Sequence, residues 1–264
     1  MSRAGGRIFA VVVGVTVLTP FVPLLLWSVS GRWFFPDLLP AAWSLRAWEY
    51  ALGATGGQVL AGLWESVAVA GITAAIAVAV GIGAGRALGL HDFPGKPLVL
   101  ILMALPVIVP PLCVAMGLHL WFIRLGLAES RLGVVLVHLT ACVPYAVFVL
   151  WGVFERYDPA FEEQARSLGA TPVQVLRRVT IPFILPGVTV AALFAFLVSW
   201  TQYLGTLIIG GGRIITLPVL LFALMDSGDR PVAAAVSLIF VAPALGALIL
   251  SARALSGRAT EPEA

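Results

Sequence analysis

The chain has 264 residues, of which 60% are hydrophobic and 11% are charged, and its mean hydropathy is +1.03. A soluble domain of this length carries roughly a quarter charged residues, so the composition excludes a water-soluble fold. The net charge of +3 does not indicate nucleic-acid binding, because the arginines are scattered between apolar runs and form no basic stripe.

The first apolar run covers residues 8–29 and follows two arginines, Arg3 and Arg7. Its length of about 22 residues exceeds the roughly 7–15 residues of a signal-peptide core and is enough to cross about 30 Å of hydrocarbon. Pro20 and Pro23 stand where a cleavage site would need small residues. We therefore predict a retained first transmembrane helix.

Five further apolar runs have the length of a membrane span, and short polar breaks between them hold most of the charges and turn residues. This pattern predicts an all-α integral membrane protein, a bundle of about six transmembrane helices that forms one domain over residues 1–264. The predicted spans are 8–29, 58–85, 98–122, 132–154, 187–209 and 232–252.

The lysine and arginine content of alternate loops predicts the orientation of the bundle. With the N-terminus inside, ten of these residues face the cytoplasm and six face the opposite side. The excess predicts that both termini and the long loop 155–186 are cytoplasmic.

This long cytoplasmic loop encodes two short helices with their own start and stop signals. Asp158 is a good N-cap for the first helix, and Gly169 supplies a left-handed stop. The segment 171–174, Thr-Pro-Val-Gln, predicts a capping box at the start of the second helix. Pro182 and Pro186 are expected to end that helix before the next span. A structured loop of this length predicts a cytoplasmic partner that docks on it.

The same loop carries a motif with fixed spacing. Its residues are Glu163, Gln164 and Ala165, then three residues, Gly169, nine residues, Val179, one residue, Ile181 and Pro182. The motif resembles the Glu-Ala-Ala loop of binding-protein-dependent ABC transporter permeases, the inner-membrane components of bacterial importers. That family pattern has Ala at the position of Gln164, Ile at Val179 and Leu at Ile181. A weaker resemblance extends over roughly residues 59–241.

This resemblance implies the permease subunit of an ATP-driven ABC importer in the bacterial inner membrane, which forms half of a solute path. The implied partners are a cytoplasmic ATP-binding subunit dimer, a second permease protomer that is identical or a paralogue, and an extracytoplasmic solute-binding protein. Glu163 is expected to make a charged contact with the ATPase, and Gly169 to allow the turn between the two short helices. Gln164, Ala165 and Pro182 complete the coupling motif. The alternative for this loop is an ordinary amphipathic connector on the membrane surface.

The sequence contains no nucleotide-binding motif. A P-loop needs a glycine loop that ends in Lys-Ser/Thr, and the only lysine, Lys96, is followed by Pro97. ATP and Mg²⁺ are therefore expected on the partner ATPase, and no cofactor, metal site or catalytic residue is expected in this chain.

The fifth predicted span contains a polar stripe in an otherwise apolar run. Ser199, Gln202, Tyr203 and Thr206 fall at positions i, i+3, i+4 and i+7, which share one face of a helix. Such a face either lines the translocation path or supplies hydrogen bonds between packed helices.

Other polar residues stand alone within the spans. Glu65 is predicted to reach the outer interface, to line the path or to pair with an arginine of an outer loop. His119 and His138 are interpreted as helix contacts rather than metal ligands, because no carboxylate or cysteine stands at ligand spacing. The prolines of the segment 105–112 predict a break in the third span that marks either a gate or a static kink.

The main alternative function is a self-contained secondary transporter or channel. Such proteins usually carry ionisable relays at the midplane or inverted repeats, and neither is visible in the sequence. A membrane enzyme is a third hypothesis. It is disfavoured because no pairing of a nucleophile with a base is expected, and no histidine is expected near Ser199. The segment 199–203, Ser-Trp-Thr-Gln-Tyr, with its Gly-rich continuation, resembles the polyamine-type branch of the permease family. Related permeases for iron, thiamine or phosphonates are the alternatives for the solute.

Overall fold

The computed structural model describes residues 3–34, 36–53 and 57–256. The two ends of the chain, for which a cytoplasmic position is predicted, lie outside these residues. Within them the helices are α1 (Arg3–Leu18), α2 (Phe21–Ser28), α3 (Arg46–Leu52), α4 (Gly57–Leu90), α5 (Lys96–Ile108), α6 (Pro111–Arg124), α7 (Arg131–Phe154), α8 (Ala160–Ser167), α9 (Pro172–Val175), α10 (Ile181–Trp200), α11 (Leu204–Gly210), α12 (Leu217–Asp226) and α13 (Arg230–Ser256). Two short strands, β1 (Ser30–Arg32) and β2 (Ala42–Trp43), pair in antiparallel orientation.

The prediction of an all-α membrane protein is confirmed. Among the described residues, four helices are long and apolar enough to cross a membrane, and a fifth candidate is the pair α5 and α6, which bends by 101° at its break. The four are α4, α7, α13 and the continuous helix Pro172–Trp200. The predicted break in the third span is therefore present, and it lies between Ile108 and Pro111.

The first predicted span, 8–29, is divided into two helices. The first of these, α1, ends at Leu18, and α2 begins at Phe21. Pro20 between them has no amide hydrogen to donate into a continuous ladder, so the division follows from its chemistry.

One compact unit comprises Met1–Trp64 and Thr216–Pro243. In its described part Arg46 donates hydrogen bonds of 2.9 and 2.8 Å to the two oxygens of Asp229. Trp27 stacks on Trp33 with ring centroids 4.5 Å apart. Arg230 lies over the Trp27 ring at 5.5 Å.

The second compact unit comprises Glu65–Ile215 and Ala244–Ala264, and α7 lies at its centre. Helix α7 packs against α5, α10 and α11. It also approaches α4 closely, because Gly81, Gly85 and Gly89 present no side chain at the contact. Small residues at four-residue spacing allow two helix backbones to come together in a membrane.

The expectation that Pro182 and Pro186 end the second short helix is wrong. Helix α9 continues through the π-helical turn Leu176–Thr180 into α10, and the whole helix spans 29 residues. A proline ring clashes with the carbonyl four residues before it in a regular α-helix, and the wider π-turn lies where Pro182 would cause this clash. Pro186 lies inside α10.

Candidate functional site

The motif residues Glu163, Gln164 and Ala165 lie on α8, and Gly169 follows this helix. Asp158 caps the start of α8 by accepting a hydrogen bond of 2.9 Å from the Ala160 amide. Gly169 has a φ of +85°, in the left-handed region that favours glycine, so the predicted turn is confirmed.

The predicted capping box of α9 is also confirmed. The Thr171 hydroxyl accepts from the Gln174 amide, and the Gln174 side chain accepts from the Thr171 amide. Together with the turn, these bonds fix the path of the chain between α8 and α9.

The surface of α8 and α9 exposes apolar side chains beside charged ones. Glu163 and Gln164 are exposed, and Leu168 is 90% exposed. A groove of about 410 Å³ lies between the two helices and includes Gly169 and Arg178 in its lining. Contiguous exposed apolar side chains occur at protein, membrane and ligand contact sites. We call Glu163, Gln164, Leu168 and this groove the docking surface.

Glu162, one residue before the motif, lies on a different face of α8 and is 5% exposed. Its carboxylate accepts two hydrogen bonds of 2.8 and 2.9 Å from Arg86 on α4. The hydroxyls of Thr180 and Tyr157 donate to one of its oxygens at 2.8 and 3.0 Å. Arg166 adds a longer contact of 3.5 Å. We call Glu162, Arg86, Tyr157 and Thr180 the Glu162 cluster.

The charge state of the Glu162 cluster follows from these bonds. The hydrogen-bonded Arg86 guanidinium lowers the pKa of Glu162 from 4.5 to about 2, although burial opposes this shift. Burial raises the pKa of the Tyr157 hydroxyl. At neutral pH the cluster therefore holds an ionised carboxylate, a guanidinium and a neutral phenol that donates to the carboxylate.

The polar stripe of the fifth predicted span does not lie on one helix. Helix α10 ends at Trp200, Gln202 and Tyr203 lie in the break, and Thr206 is on α11. The predicted helix 187–209 is therefore wrong beyond residue 200. The Gln202 amide bonds to the Ser199 carbonyl, three residues back, in place of the helical partner four residues back.

A buried imidazole joins the two sides of this break. His138 on α7 forms hydrogen bonds of 2.8 Å to Ser199 through Nδ1 and 2.8 Å to Thr206 through Nε2. A neutral imidazole can serve both hydroxyls, since it has one donor and one acceptor nitrogen. Ser199 thus has a histidine neighbour 61 residues away in the sequence, contrary to expectation. Both ring nitrogens are engaged by hydroxyls, which is the geometry of a structural contact between helices.

The two helix breaks meet at a small cavity of about 30 Å³. The break between α5 and α6 contributes Pro106 and Pro111, and the break between α10 and α11 contributes Gln202 and Gly205. This volume holds about one water molecule. The other lining residues are Val114, Ala115, Val137, Thr140 and Ala141. We call this space the break cavity.

Charged residues at the ends of the helices are paired. Arg131 donates two hydrogen bonds of 2.7 Å to Glu65, so pairing with a loop arginine is the correct alternative for Glu65. Arg213 pairs with Glu129 at 3.0 Å. Across residues 3–34, 36–53 and 57–256, no three His, Cys, Asp or Glu side chains come together as a metal site would require.

The residues that sequence reasoning missed are Glu162, Arg86 and the role of His138. Arg86 directly follows the predicted span 58–85, where an arginine can reach the membrane interface without a partner, so its position did not indicate the pairing. Glu162 and Glu163 are adjacent acids, and on a helix adjacent residues point in directions about 100° apart. This difference in direction allows Glu162 to be buried while Glu163 is exposed.

The sequence is similar to a known family of membrane transport proteins. Residues 77–259 match the protein family described as binding-protein-dependent transport system inner membrane component. The chain is 25% identical to the spermidine/putrescine transport system permease protein PotC of Haemophilus influenzae, over 88% of this chain and 90% of that protein. It is 28% identical to the putrescine transport system permease protein PotI of Escherichia coli, over 87% and 83%. It is 31% identical to the trehalose transport system permease protein SugB of Mycobacterium tuberculosis, over only 54% and 52%.

Solved structures share the fold. A bacterial ABC transporter that imports the acidic polysaccharide alginate superimposes with a TM-score of 0.71 at 20% identity, over 96% of this chain and 98% of that one. An inward-facing structure of the MetNI methionine ABC transporter gives a TM-score of 0.60 at 18% identity, over 75% and 95%.

Proposed function

This chain belongs to the binding-protein-dependent transport system inner membrane component family and is the permease subunit of an ATP-driven importer, and we propose that its solute is a polyamine. The permease is a transport component and not an enzyme. It is a multi-pass protein of the inner membrane.

The polyamine proposal rests on the two relatives that cover most of the chain. Both are named as putrescine or spermidine/putrescine permeases, and each aligns with more than four-fifths of this chain and of its own length. The trehalose permease is slightly more identical but aligns with about half of each chain. Coverage therefore favours a polyamine over a disaccharide.

Uptake by the assembled importer tests this proposal. The complex is purified with its binding protein, reconstituted into liposomes and supplied with internal ATP and labelled putrescine, spermidine or trehalose. We expect ATP-dependent accumulation of putrescine or spermidine and none of trehalose. Accumulation of trehalose without that of either polyamine would refute the assignment.

We propose that the helix Pro172–Trp200 couples ATP hydrolysis to the path, and its continuity is the observation that carries this mechanism. Its 29 residues extend over about 43 Å at 1.5 Å per residue. One end lines the groove of the docking surface through Gln174 and Arg178. The other end is Trp200, two residues before Gln202, which is one of the residues that line the break cavity. A displacement of the docking surface by the ATPase is therefore conveyed to the break cavity along one continuous helix.

The proposed partner at the docking surface is the ATPase subunit dimer, which would hold both ATP and Mg²⁺. Solved relatives of this fold are ABC importers, and one was captured with a periplasmic binding protein. Glu163 and Gln164 are exposed and free to meet a protein, and Gly169 forms the turn behind them. Ala165 lines the groove, and Pro182 lies on α10 just past the π-turn.

Two variants test the docking surface. Glu163→Lys reverses an exposed charge, and Gly169→Asp places a side chain where φ is +85°. Each should abolish copurification of the ATPase and transport, while the permease still inserts. The matched control is Glu155→Lys, an exposed acid of the same loop outside the motif. Equal recovery of the ATPase with all three variants would contradict the proposed role.

The rest of the path is proposed to come from a second permease protomer, a paralogue of this chain. The break cavity has room for about one water, so in this conformation the break cavity itself does not hold a polyamine. The mass of the intact purified complex distinguishes a paralogue from an identical copy.

Both termini and the 155–186 loop are proposed to be cytoplasmic.

A further inference from the structure

Helix α8 buries one side chain against the rest of its compact unit. Of its eight residues, all of which the structure describes, Glu162 alone is buried. Glu163, the next residue, is exposed on the docking surface. The helix therefore has a charged residue on each of two faces, one turned to the proposed partner and one turned to the membrane helices.

The Glu162 cluster joins separate elements of the fold. Arg86 lies near the end of α4, and Thr180 is the last residue of the π-turn that leads into α10. Arg86 also lies over the ring of Phe154, the last residue of α7, at 5.8 Å. One carboxylate on α8 therefore contacts α4 and the π-turn directly, and α7 through Arg86.

An open cleft borders this carboxylate. It has a volume of about 380 Å³ and is lined by Arg86, Glu162 and Arg166, together with Ile184 of α10. Arg86 of α4 and Glu162 of α8 meet at this cleft through two hydrogen bonds of 2.8 and 2.9 Å. These bonds connect α8 directly to α4.

We propose that Glu162 is a positioning residue that transmits the movement of α8 to α4 through Arg86. This inference rests on the proposed coupling function of the docking surface. Glu163 and its neighbours bind the ATPase, and Glu162 makes α4 follow when α8 is displaced. The continuous helix Pro172–Trp200 carries the same displacement to the break cavity, so two membrane helices move together.

Loss of a positioning residue should leave binding of the ATPase intact, whereas loss of a docking residue should not. Glu162→Gln keeps the shape of the side chain and the exposed docking surface, but it removes the charge that holds two donors of Arg86. The ATPase should still bind, while its displacement of α8 should no longer move α4. A purely structural role would instead lower assembly and leave the complexes that do form fully coupled.

The experiment uses the whole complex with its ATPase and binding protein, in liposomes loaded with ATP. It measures ATPase copurification, ATP hydrolysis and putrescine transported per ATP. For Glu162→Gln we expect copurification equal to wild type and a fall in putrescine per ATP of about 5- to 150-fold, the usual range of coupling between two sites. Arg86→Gln should have the same effect, and the double variant should be no worse than either single variant.

Controls make the outcomes distinct. Asp92→Asn removes another carboxylate that pairs with a basic residue, Lys96, but it is fully exposed and should change nothing. If Glu162→Gln is not recovered from the membrane, Thr180→Val is the milder test, because it removes one donor to Glu162 at nearly constant shape. It should lower putrescine per ATP in the same direction.

Unchanged putrescine per ATP in both Glu162→Gln and Arg86→Gln overturns the inference, as do additive losses in the double variant. A wild-type chain that recovers no ATPase overturns the coupling function and this inference together. If the wild type recovers the ATPase and transports putrescine, and Glu162→Gln and Arg86→Gln transport as much putrescine per ATP as the wild type, then only this inference is overturned.

Discussion

The close contact of α4 with α7 predicts that replacing a single glycine of α4 by alanine lowers the stability of the protein. A Cβ atom added at Gly85 would lie 2.8 Å from the Trp151 amide nitrogen and 2.9 Å from the Leu150 carbonyl carbon. Favourable contacts between carbon atoms are about 3.5–4.0 Å, so the two helices would have to separate by roughly 1 Å. The opposing atoms belong to the backbone and cannot rotate away. Gly85→Ala should therefore lower the free energy of unfolding by about 1–3 kcal/mol, the usual cost of overpacking.

Gly83 provides the matched control on the same helix. A Cβ atom at Gly83 meets nothing within 4 Å, so Gly83→Ala should leave stability unchanged or raise it by up to about 1 kcal/mol through helix propensity. Both variants are purified in the same detergent, and their unfolding is followed by circular dichroism against temperature and denaturant. Equal midpoints for Gly85→Ala and Gly83→Ala would show that the two helices are not held at this distance.

Two further predictions concern topology and pH. A cysteine at Ser167 should resist a membrane-impermeant thiol reagent in intact cells, and one at Ser227 should react; the reverse labelling would overturn the proposed orientation. The pKa of Glu162 is lowered in the folded state, so its contribution is fully present above about pH 4.5 and is lost as pH falls towards 2. The stability difference between wild type and Glu162→Gln should therefore shrink over this window, and a difference independent of pH would contradict the ion pair.

Features set by neighbours in the sequence could be predicted, and those set by distant partners could not. The capping box at Thr171 and the turn at Gly169 depend on residues within a few positions, so their chemistry is visible in the sequence. The partner of Glu162 is 76 residues away, and those of His138 are 61 and 68 residues away. Periodicity alone places no such pair in contact.

The same limit explains the errors in the helix bounds. Pro182 is a reliable signal against a regular α-helix, but a π-turn before it lets the helix continue. The stripe from Ser199 to Thr206 has helical spacing, yet the chain leaves the helix after Trp200. The polar residues of the stripe therefore do not share one helix face. Each has its own surroundings, and their roles can differ.

The different surroundings of Gln202 and Thr206 allow a test of which residue belongs to the path and which to the packing. Gln202 lines the break cavity, whereas Thr206 is buried against His138. Thr206→Val keeps the shape but leaves an imidazole nitrogen without its partner, which costs about 1–3 kcal/mol for a buried group, or about 0.6 kcal/mol by the average for bonds between membrane helices. It should lower the thermal midpoint in detergent and reduce uptake only in proportion.

Gln202→Ala should have the opposite profile, because its amide offers two donors and an acceptor to water or solute in the cavity. Uptake per assembled complex should fall while the thermal midpoint stays near that of wild type. Leu207→Ala, at an exposed apolar position on α11, is the control and should change neither quantity much. If Gln202→Ala loses uptake only in step with stability, as Thr206→Val is expected to do, then the whole stripe is packing and the path lies elsewhere. The variant Gln202→Cys gives a further test. If its thiol reacts with a small water-soluble reagent, and the rate of this reaction changes when ATP is trapped, then the break lies on the route of the solute.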